Sequence, residues 1–120
     1  MKLHEIGLMA KDPAASKRFY HDILGLDVDH QEDGLSVFNA GWPGLEIGCS
    51  EYPDRVHLSF IVEDVDKLAE ELRKKGVRFG GPGEIHLGKR AIVLLDPDGL
   101  RILIQSPTDE SPDWVKDMVK

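Results

Sequence analysis

Glu5-Ile6-Gly7-Leu8-Met9-Ala10-Lys11-Asp12 and His57-Leu58-Ser59-Phe60-Ile61-Val62-Glu63-Asp64 are two copies of one pattern, 52 residues apart. Apolar side chains fall at 6, 8 and 10 in the first copy and at 58, 60 and 62 in the second. That period of two is a strand with one face on a core. The opposite face carries Glu5, Gly7 and Met9, then His57, Ser59 and Ile61. Each copy ends on an aspartate placed to cap a helix. Pro13 follows Asp12 and favours the first helical position. Residues 13–24 bring Phe19, Tyr20, Ile23 and Leu24 to helical spacing, and Gly25 stops the helix. After Asp64, residues 65–75 carry the stripe Val65, Leu68, Ala69 and Leu72 before Gly76.

Working outward, strands are expected at 26–31, 35–40 and 45–50, separated by Glu32-Asp33-Gly34 and Gly41-Trp42-Pro43-Gly44. In the second half a weak strand at 77–79 meets Gly80-Gly81-Pro82-Gly83. Clear strands follow at 91–95 and 100–105, joined by the turn Asp96-Pro97-Asp98-Gly99. Each half reads βαβββ, so the class is α+β, built from an internal duplication. One domain over 1–107 is expected, with modules 1–52 and 53–107. Residues 108–120 form a polar tail with a short helix around Trp114, Val115 and Met118.

With 120 residues, 41% hydrophobic and 31% charged, the composition is that of a globular chain that buries about two-thirds of its surface. The net charge of −7 argues against a general nucleic-acid binder and suits cationic ligands or metals. Cys49 stands alone, which excludes an internal disulfide and a cysteine-rich zinc site. No apolar run approaches the roughly 18 residues of a membrane span. Met1-Lys2-Leu3-His4-Glu5 does not read as a signal peptide, so a cytoplasmic location is expected.

The chain resembles the vicinal oxygen chelate superfamily of glyoxalase I, extradiol dioxygenases and bleomycin- and fosfomycin-resistance proteins. The matching residues are the opening strand with Asp12, Phe19-Tyr20-His21-Asp22-Ile23-Leu24-Gly25-Leu26, Leu45-Glu46-Ile47, His57 into Asp64-Val65-Asp66, and Asp96-Pro97-Asp98-Gly99. The resemblance covers residues 3–106. It implies two βαβββ modules pairing as incompletely closed barrels, with a ligand and, in many members, a divalent ion on the concave face.

By that resemblance the metal positions are Glu5, Glu46, His57 and Leu103. Leucine coordinates nothing, and Glu5 stands where many members carry histidine. Glu5, Glu46 and His57 remain a reasonable set for Mn, Fe, Ni, Co or Zn, with Glu5 or Glu46 as the acid/base. The same three residues also make sense as a metal-free polar lining, hydrogen-bonded to one another. Period two places Arg101, Leu103 and Gln105 on the non-core face of the last strand, and His4 opposite Glu5. Met9, Ser59, Arg101, Leu103, Gln105 and the loop residue Trp42 are the candidate ligand contacts. His21, His30 and His86 read as surface residues, Cys49 as inert core and Trp114 as packing.

Three functions follow as expectations. One is a protein that sequesters a small, cationic, aromatic ligand. The second is a metal-dependent lyase or isomerase of glyoxalase type, a dioxygenase being disfavoured by Leu103 and Glu5. The third is a partner-binding module, which no residue specifically supports. A homodimer is expected in any case, with no nucleic-acid or membrane partner.

Overall fold

The computed structural model of the chain describes residues 1–41, 44–51 and 56–120. It divides into two compact units, His4–Leu58 on one side and Met1–Leu3 with Ser59–Lys120 on the other. Each unit holds most of one βαβββ module, with His57 and Leu58 of the second copy's first strand counted in the His4–Leu58 unit.

The first module runs β1 (Lys2–Met9), α1 (Pro13–Lys17), a π-helical segment (Arg18–Ile23), β2 (Val28–Glu32), β3 (Leu35–Asn39) and β4 (Glu46–Ser50). Its strands are ordered β2-β3-β4-β1. β1 lies parallel to β4, with Glu5 opposite Glu46 and Met9 opposite Ser50. The other pairs are antiparallel. Asp12 caps α1 by accepting from the Ala14 N–H, and Pro13 takes the first turn. The helical stretch ends where Gly25, at φ 79°, donates to the His21 carbonyl. The Ser36 hydroxyl donates to the Pro13 carbonyl at 3.0 Å, which identifies the face of β3 that meets the helix. Phe38 and Cys49 are buried on that face. Burial pushes the Cys49 thiol above its ordinary range, opposed by a hydrogen bond with Ser16 and reinforced by the Glu5 charge.

The expected apolar stripe of the first helix is corrected here. Tyr20 reaches the core and packs on Phe38, ring centroids 5.3 Å apart. Phe19, Ile23 and Leu24 stay exposed, Ile23 by 72%. The backbone changes from α to π winding at Arg18. The wider π turn takes a different angular step per residue, so the i, i+4 spacing no longer stacks these side chains on one buried stripe.

The second module runs β5 (His57–Ile61), α2 (Val65–Lys74), β6 (Gly80–Glu84), β7 (Arg90–Leu95), β8 (Arg101–Ser106) and α3 (Asp113–Asp117). Its strands are ordered β5-β8-β7-β6. Val65, Ala69, Ile92 and Ile104 form the core, with Phe60 and Ile102 packed against it, so period two along β5 and β8 puts the expected side chains inward. Asp64 accepts from Lys67 N, while the Ser106 hydroxyl accepts from Val65 N at 3.0 Å. These satisfy two of the first-turn donors of α2. In the β7–β8 turn, Asp96 Oδ1 accepts from the backbone N–H groups of Asp98 and Leu100.

The weak strand expected at 77–79 is corrected. The strand is Gly80–Glu84, the glycine-rich stretch itself, paired antiparallel with β7. Proline removes a ladder donor and is tolerated at a sheet edge, and the register shifts between Gly80 and Gly83 to accommodate it. The tail is held to its module. Thr108 Oγ1 donates to the Gly88 carbonyl at 2.6 Å, and Val115 is buried. A Cβ on Gly88 would stand 2.9 Å from the Glu110 backbone, and its φ of 67° is left-handed, so glycine is required there. Trp114, expected to pack, is exposed, and Val115 is the residue that anchors α3. Among the described residues no helix is long and apolar enough to cross a membrane.

Arg90 on β7 holds Asp66 at the start of α2 through two hydrogen bonds of 2.8 Å. The guanidinium keeps the Asp66 carboxyl below its ordinary range. Asp66 therefore binds its proton more weakly folded than unfolded. The pair adds stability above the ordinary aspartate value of 3.8 and loses it as pH falls through the lowered one. Arg90→Leu should lower the urea midpoint slightly at neutral pH, and the variant and parent should converge in acid. A gap undiminished in acid would assign the effect to packing instead.

Candidate functional site

The face of the first module away from α1 is laid out in rows by strand register. Across β3, β4 and β1 these are Asn39–Glu46–Glu5, Val37–Gly48–Gly7 and Leu35–Ser50–Met9. Polar groups occupy the first row, and backbone without side chains occupies two places in the second.

Those empty places are filled by neighbours. A Cβ built on Gly7 would fall 1.8 Å from Cε1 of His57 and 2.2 Å from its Nε2. The imidazole therefore lies directly over the Gly7 backbone. A Cβ on Gly48 would fall 2.9 Å from both Cδ and Oε1 of Glu5. The Glu5 carboxylate thus leans from the first row over the second. Glu5 Oε1 and His57 Nε2 are 3.9 Å apart, the distance of an ion-pair contact, with the side chains 21% and 20% exposed. Glu46 sits in register beside Glu5. The structure therefore places Glu5, His57 and the Glu46 position on one face. Gly7 and Gly48 were not singled out by that reading. The available signal was glycine inside a strand, which weakens it and marks a close approach.

A divalent ion needs three or four ligands converging at about 2 Å. Among the described residues no group of three or more His, Cys, Asp or Glu is gathered closely enough to hold one. As placed, the Glu5–His57 pair is not part of such a group among the described residues.

The remaining candidates are placed as follows. Met9 is exposed in the third row. Trp42 lies outside the described residues. Ser59, Arg101, Leu103 and Gln105 belong to the second module. Ser59 and Gln105 are buried there and Arg101 is exposed. The Ser59 hydroxyl has no hydrogen-bond partner among the described residues. In β8 the Gln105 carbonyl accepts from Val62 N at 2.9 Å, as the Ser50 carbonyl of β4 accepts from Ala10 N at 2.8 Å. Counting back from these bonds, Arg101 holds in the second module the place of Glu46 in the first, and Leu103 the place of Gly48.

Of the other histidines, His21 Nδ1 lies 2.7 Å from the Leu26 carbonyl and closes the helix end. His30 stands opposite Val37 and 3.4 Å from Glu32. His4 is buried on the side of β1 away from Glu5. A separate open cavity of about 270 Å³ in the second module is bordered by Glu84, Arg90, Thr108 and Glu110. Arg90 is committed to Asp66 there and Thr108 to Gly88, so these polar groups serve the fold.

A family model described as the Glyoxalase/Bleomycin resistance protein/Dioxygenase superfamily matches residues 2–104. The uncharacterized protein YraH of Bacillus subtilis (strain 168) is 31% identical over 96 residues, which span 65% of this chain and 75% of YraH. Among solved structures, methylmalonyl-CoA epimerase from Mycobacterium tuberculosis superposes with a TM-score of 0.74 at 19% identity, covering 94% of this chain and 90% of the epimerase. A Legionella pneumophila structure described as an NAD-dependent benzaldehyde dehydrogenase gives 0.71 at 23% identity, covering 87% and 98%. At these identities the two structural likenesses are likenesses of fold.

Proposed function

The chain belongs to the Glyoxalase/Bleomycin resistance protein/Dioxygenase superfamily, and from that premise we propose that it binds and sequesters a small, cationic, aromatic molecule on the Glu5–Glu46–His57 face. The observation that carries this reading is the Glu5 carboxylate and His57 imidazole lying 3.9 Å apart over the glycine row, four-fifths buried. Two carboxylates stand against one imidazole. Carboxylates on a partly buried face attract a cation more strongly than they would in open water. The net charge of −7 favours the approach of such a ligand. Superfamily members often bind small molecules and form dimers, and a homodimer acting in the cytoplasm is part of the proposal.

A thermal-shift screen tests it. The panel holds proflavine as a cationic aromatic dye, neutral and anionic aromatics, methylmalonyl-CoA (the ligand in a solved epimerase complex of like fold), and Mn, Fe, Ni, Co and Zn ions. Stabilisation by the cationic aromatics alone, reversed by salt, supports the proposal. Stabilisation by an ion at one equivalent, lost in His57→Ala, would replace it with the metal-dependent lyase or isomerase reading, with Glu5 or Glu46 as acid/base. Trp42→Ala in the same screen tests that residue as the stacking group.

A further inference from the structure

Glycine inside a β-strand costs stability, because it packs no side chain and loses more chain entropy on folding than any other residue. It is retained where the backbone is left-handed or where something needs the space. The left-handed glycines of this chain lie elsewhere, and neither Gly7 nor Gly48 is among them. Both sit mid-strand in β1 and β4, with ordinary extended partners on either side. Any L-residue would suit their backbone, so the reason for glycine is space.

The two spaces are not equally demanding. At Gly7 a methyl group would fall inside the His57 ring, 1.8, 2.2 and 2.4 Å from three of its atoms. A ring on a strand has few alternative rotamers and cannot yield by tenths of an ångström. At Gly48 the same methyl would touch only the end of the Glu5 side chain, at 2.9 to 3.2 Å. That end is flexible and yields cheaply.

The second module has no such clearance. Its counterparts of Gly7 and Gly48 are Ser59 and Leu103, which fill their places. The cleared row belongs to the compact unit His4–Leu58, which carries both Glu5 and His57.

We infer that Gly7 is a positioning residue: its missing side chain seats the His57 imidazole against β1 and holds it facing the Glu5 carboxylate, while Gly48 gives the carboxylate room in the same row. The role in ligand binding rests on the proposed function above. The seating itself does not, and it is read in the ligand-free protein.

The experiment has three readouts. In the ligand-free protein, an NMR cross-peak between His57 Hε1 and the Gly7 Hα protons is expected, and it should vanish in Gly7→Ala. Thermal midpoints are then compared in a cycle. Gly7→Ala should lower the midpoint of the parent, yet lower it little or raise it in a His57→Ala background, where the ring is gone and alanine is the better strand residue. Should Gly7→Ala alone fail to fold, a folded Gly7→Ala/His57→Ala protein carries the same meaning. Last, proflavine affinity should change in the same direction and by a similar factor in Gly7→Ala and His57→Ala, and stay within about twofold of the parent in Gly48→Ala. Equal destabilisation by Gly7→Ala in both backgrounds, a persistent cross-peak, or failure of both Gly7→Ala proteins to fold would overturn the inference. If the parent binds no proflavine, the proposed ligand class falls, while the cross-peak and the cycle still decide the seating.

Discussion

Phe38→Ala should lower stability by about 3–5 kcal/mol, the cost of removing a phenyl ring from a site that cannot collapse around it. Phe38 is fully buried in β3, between Val28 of β2 and Ile47 of β4, with the Tyr20 ring 5.3 Å away. A single module has few large side chains, and this ring joins the helical segment to the sheet behind Glu5 and Glu46. Against a typical stability of about 5–15 kcal/mol the loss is large, and the thermal midpoint should fall by roughly 10–20 °C. Phe19→Ala is the internal comparison. Its ring is half exposed and should cost about 1 kcal/mol or less. Urea and thermal unfolding of both variants measure the contrast. Equal, small losses would mean that the Tyr20–Phe38 contact does not organise this module.

The second large effect concerns binding. Glu5→Gln combined with Glu46→Gln keeps both side-chain shapes and removes both charges. A charged hydrogen bond or ion contact is worth about 1–3 kcal/mol, so proflavine affinity should fall at least about fivefold, and about thirtyfold or more if both carboxylates touch the dye. The residual binding should also lose most of its dependence on salt. Both groups are partly exposed, so the fold should hold. Calorimetric titration of parent and double variant at two salt concentrations gives the answer. Unchanged affinity would detach the ligand from this face.

Much of this molecule is legible in a single sequence because the determinants are local. Asp12 and Asp64 cap their helices through their own backbone neighbours, and Asp96 closes its hairpin within four residues. Alternation along β5 and β8 needs no more than the pleat of one strand. The misreadings have equally specific causes. Residues 19–24 obey α spacing on paper, but the backbone winds as a π-helix and leaves Ile23 in solvent. Gly80–Glu84 looks like a turn by composition, but an edge position lets it pair with β7 despite Pro82.

Period and caps act over a few residues, so the duplicated βαβββ order and the strand faces are readable from the chain alone, while Glu5, Glu46 and His57 are singled out by the resemblance to a family. That Glu5 stands opposite Glu46, that its carboxylate leans over Gly48, and that the His57 ring occupies the side-chain space of Gly7 is visible in the folded chain alone. Those facts depend on the register of strands about forty to fifty residues apart in the chain. Register follows from the packing of whole faces rather than from any one strand's pattern.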